Sequence, residues 1–343
     1  MYTIKDYLKY YKDTTIKDVP WNMMDNLICT ILAYSKVKEF DECELSNFCT
    51  SVKKYKPKKD EIMEIEVLYV VNAIENSKRY EHMKFKNFVN IRNNKVEFGA
   101  LTCIIDDIKV IAFKGTGGSR IGWIENFRLA YTYPTDTQRC AYAYLKQNVS
   151  VFDKNVYVVG HSKGGNLAMS SAMELNPLKY RAIKRIVNFD GPGFRKKEYV
   201  SAKYKKISQK LTNIIPDHSY IGILLYNENY TTIKTKVLGT KVHYPFYWDT
   251  YGDIFINSKL SNTSTKMHDI SSEKISSFDE KKLKEIMEDA YLALKNNDRF
   301  SIKDIKLILN RIKENEQEDA IKLYNTLVSF TKIQTNSKEG SKK

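Results

Sequence analysis

A chain of 343 residues has room for one large α/β domain and a smaller appendage, and 42% hydrophobic with 28% charged residues is the balance of a folded protein rather than a disordered one. Its net charge of +15 is spread along the chain as a solvated, lysine-rich surface, and no zinc-finger spacing, RNP-type aromatic signature or basic region feeding heptads accompanies it, which argues against a nucleic-acid partner. Five cysteines (Cys29, Cys43, Cys49, Cys103, Cys140) form no CxxC pair, and no signal-peptide core or run of roughly 20 apolar residues appears, so the expected setting is the reducing cytoplasm, as far as standard export signals reveal.

The opening segment, through about Lys56, reads as helical, with Met24, Leu27, Ile28, Ile31 and Leu32 at helical spacing behind the caps Asn22 and Asp25. A second helix is predicted from Asp60 to Asn76. The period then changes to that of strands at Phe85 to Ile91, Val96 to Ile105 and Ile108 to Phe113. Next come helices at Gly122 to Tyr131 and Asp136 to Asn148, the strand Val156 to Val159, a helix at Gly164 to Leu175 and the strand Ile183 to Phe189. A basic helical stretch, Lys196 to Lys210, precedes strands at Thr212 to Ile215, Thr231 to Val237 and Asp253 to Ile256. Such alternation predicts a mostly parallel sheet with helices on both faces. Helices at Asp279 to Asn296, Ile302 to Lys313 and Ala320 to Phe330 close the chain, Ser301 and Asp304 forming a capping box, and the polar last dozen residues are expected to be disordered.

The chemistry is concentrated in VYVVGHSKGGNLAMSSA, where an apolar strand runs into Gly160-His161-Ser162-Lys163-Gly164 and on into a small-residue helix. This is the strand, turn and helix setting that a GxSxG nucleophile requires. The turn strains the serine backbone, and side chains two positions to either side would strike the neighbouring strand and helix. Ser162 is therefore the candidate nucleophile. Upstream, the strand ending at Phe113 leads into Lys114-Gly115-Thr116-Gly117-Gly118-Ser119, a glycine-rich loop at the same end of the sheet. It is placed to form an oxyanion hole from the Thr116 and Lys163 backbone N–H groups, with Gly117 alongside. A phosphate loop would need Gly-Lys-Ser/Thr after four spacers, and that pattern is absent.

The fold demands an acid and then a histidine after the serine. His82 precedes the sheet, His161 sits in the turn itself and His268 lies near the helical tail, which leaves His243 as the general base, with His218 as its rival. Asp190, opening the Asp-Gly-Pro-Gly turn, and Asp217, ending the next strand, both satisfy the order, and both also suit ordinary turns.

The segments IKDYLKYYKDTTIKDVPWNMMDNLI, IAFKGTGG, GWIENF, GHSKGGNLA, FDGPGF, IIPDHSYIGILL and HYPFYW together make the chain resemble the Mbeg1-like proteins, a bacterial branch of the α/β-hydrolases related to the class 3 lipases, from about Ile4 to Leu307. The resemblance implies an α/β-hydrolase fold with lipase or esterase chemistry, and FDGPGF, which falls on Asp190, favours that residue over Asp217. The chain departs from the family pattern with Lys114 in place of an arginine, and with Gly117 and Asn126 in place of acidic residues. The expected division is an N-terminal helical layer (1–80), an α/β-hydrolase core (81–271), a C-terminal helical region (272–332) and a disordered tail (333–343). The expected function is carboxylic-ester hydrolysis of a lipid-like acyl substrate through a Ser-His-Asp triad, with no metal or organic cofactor. The same fold also serves as a catalytically silent scaffold for a protein partner, and the same triad serves thioesterases and peptidases. The basic stretch Arg195 to Lys210, with Tyr199 and Tyr204 interleaved, is a candidate lid or contact with an anionic membrane surface.

Overall fold

The computed structural model describes residues 2–227, 229–294 and 300–339. Its centre is a sheet of eight strands lying side by side in chain order: β1 (Phe40–Glu44), β2 (Lys84–Arg92), β3 (Glu97–Ile105), β4 (Ile108–Phe113), β5 (Asn155–His161), β6 (Ile183–Phe189), β7 (Leu211–Pro216) and β8 (Tyr230–Ile233). The pairings from β1 to β4 are antiparallel and those from β4 to β8 parallel. The edge strand β1 arises inside the segment expected to be helical. Its sequence, FDECE, is short and acidic, which suits an edge whose outer side faces water. It is held by Glu44 to Lys84 at 2.9 Å and Glu42 to Lys86 at 3.1 Å.

Both faces of the sheet are buried, and the period of two divides each strand between two cores. Along β5, Val156 and Val158 point into one core while Tyr157 and Val159 point into the other. The parallel strands advance in one direction, so crossovers of one hand put their helices on one face. The helices Asp136–Asn148, Lys163–Glu174 and Ala202–Ser208 duly share the core that holds Val156 and Val158. The other face is left for a separate cover, which the N-terminal residues supply through the helices Met23–Leu32, Leu45–Lys53 and Ile62–Ile74.

That cover is locked by a buried ion pair. Asp25 accepts from Arg79 Nε at 2.9 Å and Nη2 at 2.7 Å, and from the hydroxyls of Tyr7 at 3.0 Å and Tyr80 at 2.6 Å. Arg79 Nη1 also donates to the Val19 carbonyl at 2.9 Å. Both side chains are fully shielded from solvent, so each needs the other to be tolerable in the interior.

The segment expected as a strand at Asp253 to Ile256 is not a strand of the main sheet and meets its edge only where it continues, through the bridge of Asn257 to Ile233 and the Lys234 N–H to the Ile256 carbonyl at 2.8 Å. Gly252, at φ +61°, allows a tight turn that folds Ile254–Phe255 back onto Thr250–Tyr251 as a small hairpin of its own. Strand β8 ends at Ile233, short of the expected Val237. At the C-terminus the helices Glu280–Tyr291, Ile302–Glu314 and Glu318–Glu339 form a third core. The last helix runs on through the stretch expected to be disordered, since no glycine or proline interrupts it; the expected tail's final residues, 340–343, and the end of the helix expected at Asp279 to Asn296 lie outside the described residues. The whole is an α/β-hydrolase-like fold with helical additions at both ends.

Candidate active site

Strand β5 delivers the chain to Ser162, which turns at φ +59° and ψ −135° before the helix Lys163–Glu174 begins. A non-glycine residue pays for this left-handed conformation, and such strain is retained where the surroundings over-determine it. Here they do: a Cβ on Gly160 would lie 2.1 Å from the Gly164 carbonyl oxygen, and one on Gly164 would lie 2.1 Å from that of Phe113. The close approach of strand, bend and helix therefore depends on both glycines. Ser162 is half-buried and faces a cavity of about 610 Å³, and the helix that follows directs its N-terminal dipole there.

Strand β6 ends in Asp190, also at positive φ (+49°) and fully buried. Its Oδ2 lies 2.6 Å from His243 Nδ1, while Oδ1 accepts from the Ser219 hydroxyl at 2.5 Å and the Gly222 N–H at 3.0 Å. A carboxylate fixed from three sides holds the imidazole in the tautomer with a proton on Nδ1, leaving Nε2 as an acceptor. His243 is 13% exposed and lines the cavity with Ser162. The two side chains are not hydrogen-bonded to each other among the described contacts.

Asp217 is engaged elsewhere. Its oxygens accept from the Thr235 hydroxyl at 2.8 Å and the Ser258 hydroxyl at 3.0 Å, so it ties the end of β7 to the chain beyond β8. The ring on Asp190 is that of His243 and not His218.

The glycine-rich loop lies at the cavity through Thr116, Gly117 and Gly118. Gly117 departs from the sequence expectation, because its N–H donates to Glu97 Oε1 at 3.0 Å and is not offered to the cavity. Among the described contacts the Thr116 and Lys163 N–H groups have no protein acceptor. The Thr116 hydroxyl donates to Asn126 Oδ1 at 3.0 Å.

Glu97, at the head of β3, explains the departures in this loop. Its second oxygen accepts from Ser119 Oγ at 2.7 Å, and its backbone carbonyl accepts from Lys163 Nζ at 3.1 Å. A carboxylate from the adjacent strand thus braces the loop in place of one within it. It also leaves Gly117 no room for a side chain, since a Cβ there would lie 2.3 Å from Glu97 Oε1. Burial lowers Lys114, which donates to Asn90 at 3.1 Å, to about 8, and lowers Lys163 as well.

Tyr34 and His161 join these pieces. His161 Nε2 lies 2.7 Å from the His243 carbonyl, which can only accept, so Nε2 carries the proton and Nδ1 takes the Tyr34 O–H at 3.0 Å. The Tyr34 oxygen in turn accepts from the Gly115 N–H at 3.0 Å. Burial, with His243 beside it, pushes the His161 pKa well below the usual range and keeps it neutral. Sequence reasoning did not single out Tyr34, Ser219 or Glu97. Only Glu97 left a signal, as a lone charge heading an apolar strand.

The expected lid at Arg195 to Lys210 is not at the cavity, and none of its residues lines it. Tyr204 and Ile207 pack into the core beneath the sheet, Arg195 pairs with Glu198 and Glu280, and Lys206 Nζ donates to the Met173 carbonyl at the end of the helix after Ser162. The cavity is lined instead by Trp123 and Phe127, and by Leu283, Met287, Leu323 and Leu327 of the C-terminal helices. Among the described residues no cluster has metal-ligand composition, and no helix is long and apolar enough to cross a membrane.

No curated protein matches the chain. A crystal structure of M37 lipase aligns over 84% of this chain and 78% of that one, at 12% identity and a TM-score of 0.39. The model of one protein family matches residues 74–292, well over half of the length. On that match the chain belongs to the Mbeg1-like family.

Proposed function

We propose that the protein is a serine hydrolase cleaving carboxylic esters through Ser162, His243 and Asp190. His243 Nε2 removes the proton from Ser162 Oγ as the oxygen attacks the ester carbonyl, and Asp190 stabilises the imidazolium that forms. The N–H groups of Thr116 and Lys163 receive the oxyanion. The intermediate collapses to the acyl-enzyme as the ester C–O bond breaks and His243 Nε2 gives its proton to the departing alcohol. His243 then takes a proton from the water that attacks the acyl-enzyme and returns it to Ser162 Oγ as the carboxylic acid leaves. The observation that carries this reading is the Asp190 to His243 contact at 2.6 Å, on a ring that shares its cavity with a serine at φ +59°. The missing serine to histidine hydrogen bond is compatible with it, because catalytic contacts commonly tighten only once substrate is bound.

The test is covalent. A fluorophosphonate probe is expected to label the wild type and not Ser162→Ala, with thermal stability equal in the two and p-nitrophenyl ester hydrolysis lost in the variant. Equal labelling of both proteins would remove Ser162 from the mechanism.

A further inference from the structure

This inference rests on the hydrolase reading above and names the group that the site accepts. We propose that the C-terminal helices gauge acyl length: the preferred ester carries an alkyl acyl chain long enough to lie against Met287, Leu323 and Leu327. The cavity that reaches Ser162 is walled in this direction by those three residues with Trp123, Phe127 and Leu283. These six side chains carry no charge and offer a polar substituent few partners, a cost that an alkyl chain against them does not incur. At about 610 Å³ the cavity lies mid-range for small-molecule sites and far exceeds an acetyl group, which would leave most of the wall uncovered.

The helical unit is fixed to the catalytic loops rather than loosely apposed. Arg128 holds Glu288 through two bonds of 2.9 Å, Trp123 stacks on Phe300 with ring centroids 5.3 Å apart, and the Phe300 N–H donates to the Gly118 carbonyl at 3.2 Å, two residues from Thr116. Leu323 and Leu327 lie beyond residue 292, where the family match ends. Each added methylene that reaches apolar wall should raise kcat/KM about fourfold, the factor equivalent to ~0.8 kcal/mol, until the chain meets the end of the cavity.

The experiment compares p-nitrophenyl acetate, octanoate and palmitate on the wild type, Leu327→Trp and Met287→Ala, with binding of octanoate followed by calorimetry in parallel. Octanoate is expected to exceed acetate by at least about a hundredfold in the wild type. Leu327→Trp should cut the octanoate to acetate ratio at least tenfold, and Met287→Ala should raise the palmitate to octanoate ratio. Unchanged ratios in both variants, with probe labelling intact, overturn the gauge and leave the hydrolase. If neither labelling nor turnover occurs, the hydrolase reading falls and calorimetry decides the inference: octanoate binding weakened at least tenfold by Leu327→Trp upholds an acyl site, and no binding to the wild type overturns it.

Discussion

Asp190 and Asp217 have the same chemistry and end adjacent strands, yet only one carries an imidazole. Asp190 is presented by a positive-φ bend and held by Ser219 and Gly222, so its second oxygen is committed to His243. Asp217 spends both oxygens on hydroxyls. On the proposed mechanism Asp190→Asn lowers kcat roughly 10⁴-fold, whereas Asp217→Asn lowers the melting temperature and leaves kcat in place; steady-state kinetics and thermal melts of the two variants separate these effects, and the opposite pattern would reverse the assignment. Ser162 stood out because it sits in a strand, turn and helix motif whose backbone demands show in the sequence, whereas His243 was reached by chain order and elimination and Asp190 was favoured only by the resemblance. Which aspartate meets the histidine depends on where the loop after β7 packs, and no local pattern encodes that. Tyr34 was out of reach for the same reason, being 127 residues from its partner His161.

Among the elements, β3 to β7 were legible because apolar runs bounded by turn residues leave few alternatives at that length. Strand β1 was not, since a five-residue acidic edge carries no apolar period and gains its structure only by pairing with β2. The hairpin at Thr250 to Phe255 likewise depends on a glycine turn, which decides whether a strand extends a sheet or folds back. The N-terminal layer was recognisable as helical, but not its anchor. Asp25→Ala would strand Arg79 in the interior without its counter-charge, and denaturant unfolding is expected to show a loss of about 3–5 kcal/mol. A loss near zero would mean that the layer is held by its apolar contacts alone.

At the scale of the whole molecule, stability should respond to pH through Glu66. It lies in the helix Ile62–Ile74 under the loop that carries His243, where Oε1 accepts from the Phe246 N–H at 3.3 Å and Oε2 has no partner among the described residues. Burial pushes its pKa from an ordinary 4.5 up to about 8. Between those values the native state holds a proton that the unfolded chain has released, so this contribution is complete at the acid end and is lost as pH rises towards 8. Lys114 acts in a different window, because its lowered pKa lets stability rise only above about 8. Glu66→Gln should therefore gain on the wild type between about pH 5 and pH 8, by on the order of 2 kcal/mol; melts showing parallel pH curves for the two proteins would exclude an ionisable Glu66 from the balance.

The one-directional winding of the sheet bears on how the protein is made. Because the helices Asp136–Asn148, Lys163–Glu174 and Ala202–Ser208 fall on one side, the opposite side is covered by residues that precede the sheet's parallel strands, and their counterpart surface includes Val187, Phe189, Ile214 and Ile233 of β6 to β8. The N-terminal helices thus meet β2 to β4 soon after synthesis but complete their apolar contacts only when β6 to β8 have emerged, the interval in which a chaperone has most to hold.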